Sequence, residues 1–487
     1  MVELTVNLAE RLTAADLGGG VVVPGSADFD RRRRIWNAVV DRRPAAIVRP
    51  TTADGVAAVV RAAAESDALL SVRCGGHSFP GHSTCDGGVV LELSALRSVS
   101  VDPATGRCVV GGGALLGDVD RAALAHGLAV PAGVVSHTGI GGLTLGGGMG
   151  WLSRLHGLTI DSLVGVDIVT ADGALLRASA ESEPDLFWAV RGGGGNFGVV
   201  VAFEFRARGA GPVSAGRWEY PLADIHDVML GAAALAGGAP RELTISFSAT
   251  RLGLALTAFW AGAPARADAA LAPFGELTAA AAGGHGPVSF LDLQTRNDHH
   301  SAWGRRYYAR GGFVRRLDAA LVDCIADAAA EGPTDHSEVY VPQLGGAVAD
   351  VDEDATAYSG REAGFYWLVE PIWDDPADDA GCLGWGRRHG GRLAALSMDT
   401  NYVNEQADTG GEFPEQAYGS SKYQRLRSIK ARHDPTNLFR LNANIQPAGV
   451  RSTAVPARVG GTPPETGSAL DPRSPRLGPP SRRDGAG

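Results

Sequence analysis

The chain of 487 residues is 45% apolar and carries a formal net charge of −10. That length suits two or three domains with a sizeable core, and the acidic balance disfavours a nucleic-acid partner. No uncharged apolar run of about 18 residues occurs, so no membrane span is expected.

The opening MVELTVNLAERL carries acids early and has no basic start followed by an apolar block, which predicts a cytoplasmic protein without a secretory signal. Residues 45–73 read as strand (AAIVRP), helix (TTADGVAAVVRAAAES, with Thr or Asp caps) and strand (ALLSVR). The stretch GGVVLELSALRSVSVDPATGRCVVGGG reads as two strands around a Pro-Gly turn, and LVGVDIVTADGALLRAS as a hairpin turning at Asp172-Gly173. DLFWAV is helical and VVVAFEFRAR a strand. After Gly209 the chain alternates strands (ELTISFSA, LALTAFWA, SEVYVPQLGGAV, AGFYWLVEPIW) with Ala-rich helices, the pattern of an antiparallel sheet covered by helices. Residues 450–487 are rich in Pro and Gly and are expected to be disordered.

The five cysteines are odd in number and contain no CxxC pair, so neither a disulfide framework nor a zinc cluster is expected, and no metal site. DDPADD, near residue 374, reads as a solvated loop, and His299-His300 as a surface turn. Trp367 and Trp373 fit either core or cavity wall. Arginine carries the positive charge; the only lysines are Lys422 and Lys430.

Glycine concentrates at Gly75-Gly76, along GVVSHTGIGGLTLGGGMGW (133–151) and in RGGGGNFG (191–198). Such loops let backbone amides approach a diphosphate. Gly193, Gly195 and Gly198 satisfy G-x-G-x-x-G, but a helix precedes and a strand follows, the reverse of the dinucleotide-binding order. No lysine sits in a glycine loop, so a P-loop is excluded. A flavin dinucleotide held by loops fits what remains. His77, directly after the paired glycines, would either cap a turn or bond the flavin 8α carbon.

Together these segments resemble the berberine bridge enzyme type of FAD-linked oxidase, within the vanillyl-alcohol-oxidase-like superfamily. The resemblance rests on SVRCGGHSFPGHSTCDGGVVLELS, PAGVVSHTGIGGLTLGGGMGWLSRLHGLTIDSL, DLFWAVRGGGGNFGVVVAFEF and YGSSKYQRLRSIKARHDPTNLFRLNANIQP, and covers about residues 40–448. It implies an α+β fold: a two-part, PCMH-type FAD-binding domain (1–208), a substrate domain with a large antiparallel sheet covered by helices (209–399), a segment returning to the FAD domain (400–449), and the tail. It places FAD against Val72, Arg73, Cys74, Gly75, Gly76, Ser78, Gly81, His82 and Ser83, with His77 as the covalent residue. It adds Gly133, Val134, Val135, His137, Thr138, Gly141, Gly142, Gly148 and Trp151 from the second loop, Gly198 and Val200 on the adenine side, and Tyr402, Asn404 and Asn442 near the ring.

Many relatives carry a second tether, a Cys in P-A-G-x-C. Here that position is Val135, so the resemblance implies a single bond, through His77. The VVSHTG run is similar to that of the enterocin-pathway branch, whose flavin forms an N5-oxide and whose substrate is a polyketide. His137 and Thr138 would then act beside the ring. Hydride transfer to flavin N5 also needs a proton acceptor. Tyr402 is the first candidate and Tyr340 the second, with Glu338 and Gln343 as neighbours of undetermined facing. The expected function is an O2-using FAD oxidase or monooxygenase acting on a natural product, a small molecule either free or borne on a carrier protein. A simple alcohol, amine or sugar oxidase giving H2O2 is the alternative, and a non-catalytic flavin-binding protein a third reading. The sequence sets no oligomeric state.

Overall fold

The computed structural model describes residues 12–13, 17–279 and 281–449. The expected tail, 450–487, and the opening MVELTVNLAER lie outside the described residues.

The first half builds two sheets. Strands β1 (Val21–Val22), β2 (Ala46–Val48), β3 (Leu70–Arg73) and β4 (Val89–Glu92) form one, in the order β1-β2-β4-β3, with β2, β4 and β3 parallel. Helix α1 (Ala53–Glu65) makes the crossover between β2 and β3. Thr52 starts it by accepting a hydrogen bond from the Gly55 amide (3.1 Å), and Val56, Val59, Val60 and Ala63 face the core at helical spacing. β4 therefore belongs to this parallel sheet, not to the Pro-Gly hairpin expected from the sequence. The hairpin uses the next two strands, β5 (Val99–Asp102) and β6 (Arg107–Gly111). With β7 (Leu163–Val169), β8 (Leu175–Ser179) and β9 (Val199–Arg206) they form an antiparallel sheet ordered β5-β6-β9-β7-β8. The helix Pro184–Val190 precedes RGGGGNFG and β9 follows it, as the order of the sequence requires.

The second half is built on a seven-stranded antiparallel sheet. Its strands are β10 (Val213–Tyr220), β11 (Leu243–Thr250), β12 (Gly253–Trp260), β13 (Ala282–Val288), β14 (Arg310–Val314), β15 (Glu338–Pro342) and β16 (Phe365–Glu370), ordered β13-β10-β12-β11-β15-β16-β14. The period-2 alternation decides what each face does. Ile245, Phe247 and Ala249, Val339 and Val341, and Phe365, Trp367 and Val369 join the core under the helices Ile225–Gly237, Ala319–Ala330 and Asp379–Ala394. Thr244, Ser246 and Ser248, Glu338 and Tyr340, and Leu368 and Glu370 point the other way, into a cavity. Trp367 and Trp373 are both fully buried and neither lines that cavity.

The C-terminal helix Ser420–His433 returns to the first half. It carries both lysines, and both are buried. Lys422 pairs with Glu353 at 2.8 Å. Lys430 pairs with Asp434 at 2.8 Å and donates to the carbonyls of Asn196 (2.7 Å) and Phe439 (2.9 Å). No helix among the described residues is long and apolar enough to cross a membrane.

Candidate active site

One cavity of about 900 Å³ lies between the glycine loops of the first half and the open face of the large sheet. Its first wall explains the paired glycines after β3. A Cβ on Gly75 would overlap the Gly139 amide, and a Cβ on Gly139 would overlap the Gly75 amide and the Cys74 sulfur. The two glycine-bearing loops touch backbone to backbone, which only glycine permits. Gly76 then turns in the left-handed region (φ 72°) and delivers His77 into the cavity.

The His77 ring stacks on Trp36, with centroids 4.7 Å apart and planes 19° apart. Its Nε2 lies 2.7 Å from His137 Nδ1. Burial, with a contribution from His137, holds its pKa well below the usual histidine value, so the imidazole is neutral. Burial pushes the Cys74 thiol beside it up to about 11, which keeps it protonated and a poor nucleophile.

Most of the residues expected at the cofactor line this cavity. Val72, Cys74, Gly75, Gly76, Ser78, His82 and Ser83 make one wall. Gly133, Val134, Val135, Thr138, Gly141, Gly142 and Trp151 make the second. Gly198 and Val200, with Tyr402, Asn404 and Asn442, close it. Four expected residues stand behind the wall. The Arg73 guanidinium is spent on the carbonyls of Ser83 (3.2 Å) and Arg32 (2.5 Å). Gly81 packs on Val40, and its carbonyl accepts from Arg42 (2.8 Å). The Gly148 amide donates to the Tyr402 hydroxyl (3.1 Å), and His137 backs His77.

A flavin dinucleotide suits this lining. Bare glycine amides face the cavity, and the buried Ser83 Oγ and Asn442 Oδ1, both at its wall, have no partner among the described residues. No group of three or more His, Cys, Asp or Glu side chains able to hold a metal occurs among those residues.

The sheet side carries acid–base groups of which the sequence named Glu338 only as a neighbour of Tyr340 and did not single out Glu370. Glu338 and Glu370 are register partners on β15 and β16. Glu338 bonds His300 at 3.1 Å and accepts from the Ser248 hydroxyl. Burial alone would raise its pKa, but the imidazolium overrides it and keeps Glu338 ionised. In return Glu338 overcomes the burial of His300 and lifts it to about 9. His300 is therefore part of the cavity wall, not a surface turn. Glu370 accepts no hydrogen bond within the described residues; burial first and Glu338 second push it to about 8. Glu405, three residues after Tyr402, also faces the cavity, and burial raises it to about 7. Gln343 lines the cavity as well: it lies beyond the end of β15, where it bonds the Ile245 amide (3.3 Å).

Tyr402 is oriented by two donors, the Gly148 amide and Asn404 Nδ2 (2.9 Å). Burial raises its pKa and that of Tyr340, so both phenols stay protonated. With its oxygen already accepting two hydrogen bonds, Tyr402 is set to donate one.

Residues 44–179 match the FAD binding domain family, and residues 401–446 the family described as berberine and berberine like. An FAD-linked oxidoreductase of Dictyostelium discoideum is 31% identical over 434 residues, 88% of this chain and 95% of that one. The chain belongs to the berberine bridge enzyme-like FAD-linked oxidases. A second relative, the xylooligosaccharide oxidase of Thermothelomyces thermophilus, is 30% identical over 475 residues, 88% of this chain and 93% of that one. Among solved structures, the glucooligosaccharide oxidase of Acremonium strictum, described with a 6-S-cysteinyl, 8α-N1-histidyl FAD, superposes with a TM-score of 0.82 at 24% identity, covering 91% of this chain and all of that one. This berberine bridge enzyme-like oxidase thus has the PCMH-type FAD-binding fold with a large antiparallel sheet, is an FAD-dependent enzyme, and belongs among relatives that act on small molecules.

Proposed function

We propose that this oxidase holds FAD through one covalent bond at His77 and oxidises a hydroxyl- or amine-bearing carbon of a small specialised metabolite, with Glu370 as the proton acceptor. FAD, when bound, would supply the hydride acceptor, with dioxygen as the final acceptor of the two electrons. The observation that carries the reading is Glu370: a buried carboxyl that faces the cavity without a hydrogen-bond partner among the described residues. A substrate hydroxyl or ammonium would supply the missing hydrogen bond and lose its proton there. Tyr402 orients the substrate and the ring edge by donation, and Asn404 holds Tyr402 in place, its two amide hydrogens going to the Tyr402 hydroxyl and the Leu143 carbonyl (3.0 Å). His300 and Glu338 hold the charge that tunes Glu370.

The single tether is supported by Val135 at the second loop's cavity wall, where the sulfur of a second tether would need a cysteine, and by the raised pKa of Cys74. The VVSHTG loop favours one more outcome, oxygenation of a polyketide-like substrate in place of peroxide release. A carrier-borne substrate is not part of the proposal. Anaerobic mixing with candidate alcohols, amines and sugars tests the reading: bleaching of the flavin band by wild type, and its slowing by about 10²–10⁴-fold in Glu370→Gln, supports it. A Glu370→Gln variant that bleaches at the wild-type rate refutes the assigned base.

A further inference from the structure

We propose that His137 fixes the tautomer of His77 and takes up its Nε2 proton as the bond to the flavin forms. The inference rests on the His77 tether proposed above and adds to it a positioning residue.

The argument is one of donors and acceptors. Asp298 is pinned to the second flavin loop by the Ser136 amide (2.8 Å) and hydroxyl (2.5 Å). Its backbone carbonyl lies 3.5 Å from His137 Nε2. A carbonyl only accepts, so His137 presents its N–H at Nε2, and in the contact with His77, which needs one donor and one acceptor, its Nδ1 offers the lone pair. That lone pair faces His77 Nε2 at 2.7 Å, so His77 donates from Nε2. His77 is neutral, and its remaining nitrogen, Nδ1, therefore carries the free lone pair. Ring rotation would exchange the two nitrogens, but the stack on Trp36 opposes it. Trp36 is itself held by a second stack on Tyr307 (3.8 Å, 16°) and by donation from its Nε1 to the Ser301 carbonyl (2.7 Å).

The attachment balances with dioxygen as the oxidant. A bond forms between Nδ1 and the 8α carbon. One C–H proton leaves the methyl group and one N–H proton leaves His77 Nε2, while the two electrons released pass to dioxygen, giving hydrogen peroxide. His137 Nδ1 receives the Nε2 proton as positive charge builds on the ring that is being alkylated.

The test uses full-length protein purified with its flavin: wild type, His137→Leu, which removes the acceptor, and His137→Asn, whose amide oxygen replaces it. Intact mass and acid precipitation measure tethered against releasable flavin. Digestion and spectroscopy of the flavinyl peptide identify the linking nitrogen. The expected result is a wild-type bond through Nδ1, at least a tenfold rise in releasable flavin for His137→Leu, and wild-type tethering for His137→Asn. Full tethering in His137→Leu, loss of tethering in His137→Asn, or a wild-type bond through Nε2 overturns the inference while leaving the His77 tether standing. A wild type that releases all its flavin overturns both. Where His137→Leu binds no flavin, His137→Asn decides: wild-type tethering supports the inference and loss of tethering overturns it.

Discussion

Glu338 and Glu370 face one another across adjacent strands of the large sheet, and of the two only Glu338 bonds His300. Two carboxylates this close do not ionise together without cost. His300 settles which one keeps its charge, and Glu370 is left as the carboxyl whose titration lies near neutrality.

The first prediction concerns pH. A carboxyl raised to about 8 is protonated below that value and can accept a proton only above it. The ratio kcat/KM should therefore rise with pH through a limb near 8 and then level. In Glu370→Gln the limb should vanish together with about 10²–10⁴-fold of the rate. Steady-state profiles of both proteins between pH 5 and 10 check this.

Glu338→Gln should move that limb toward acid. Burial, the larger contribution to the Glu370 shift, remains in the variant, but the neighbouring charge is gone. Glu370 would then ionise below about 8 while staying above the ordinary carboxylate range. The same profiles measure the displacement, and an alkaline displacement would contradict the assignment.

His77→Ala should bind flavin without a bond. All of its flavin should leave on acid precipitation, and the intact mass should be that of the bare chain. Flavin retained through denaturation would place the attachment elsewhere.

Gly139→Ala drives a methyl group into the Gly75 amide and the Cys74 sulfur. Parting the two flavin loops should lower stability by about 1–3 kcal/mol, in the range of overpacked sites, and reduce the flavin content of the purified protein. Chemical denaturation and the ratio of flavin to protein absorbance read the two effects.

Lys430→Met leaves Asp434 as an uncompensated charge, since both side chains of this pair are fully buried. Breaking such a pair typically costs about 3–5 kcal/mol. The denaturation midpoint should fall markedly, with partial recovery in Lys430→Met/Asp434→Leu.

The glycine loops were legible in the sequence because close backbone approach and left-handed turns leave no alternative residue: Gly76 turns left-handed, and Gly75 and Gly139 meet backbone to backbone. The strands of the large sheet were legible from their alternation, and Glu338 and Tyr340 do share a face. What escaped depends on pairing between distant segments. NDHH reads as a polar turn until Glu338 is brought against His300. Glu370 ends an apolar strand and carries no local motif. Glu405 sits in NYVNE beside the tyrosine that drew attention first. VVLE, read into a hairpin, instead pairs in parallel with β2 and β3.

Both side-chain amines lie sealed in the C-terminal helix. Acylating reagents will spare lysine while that helix stays docked and mark it only once the helix lifts away. Lysine labelling therefore serves as a native gauge of how often the last segment of the fold lets go, free of background from any other ε-amine.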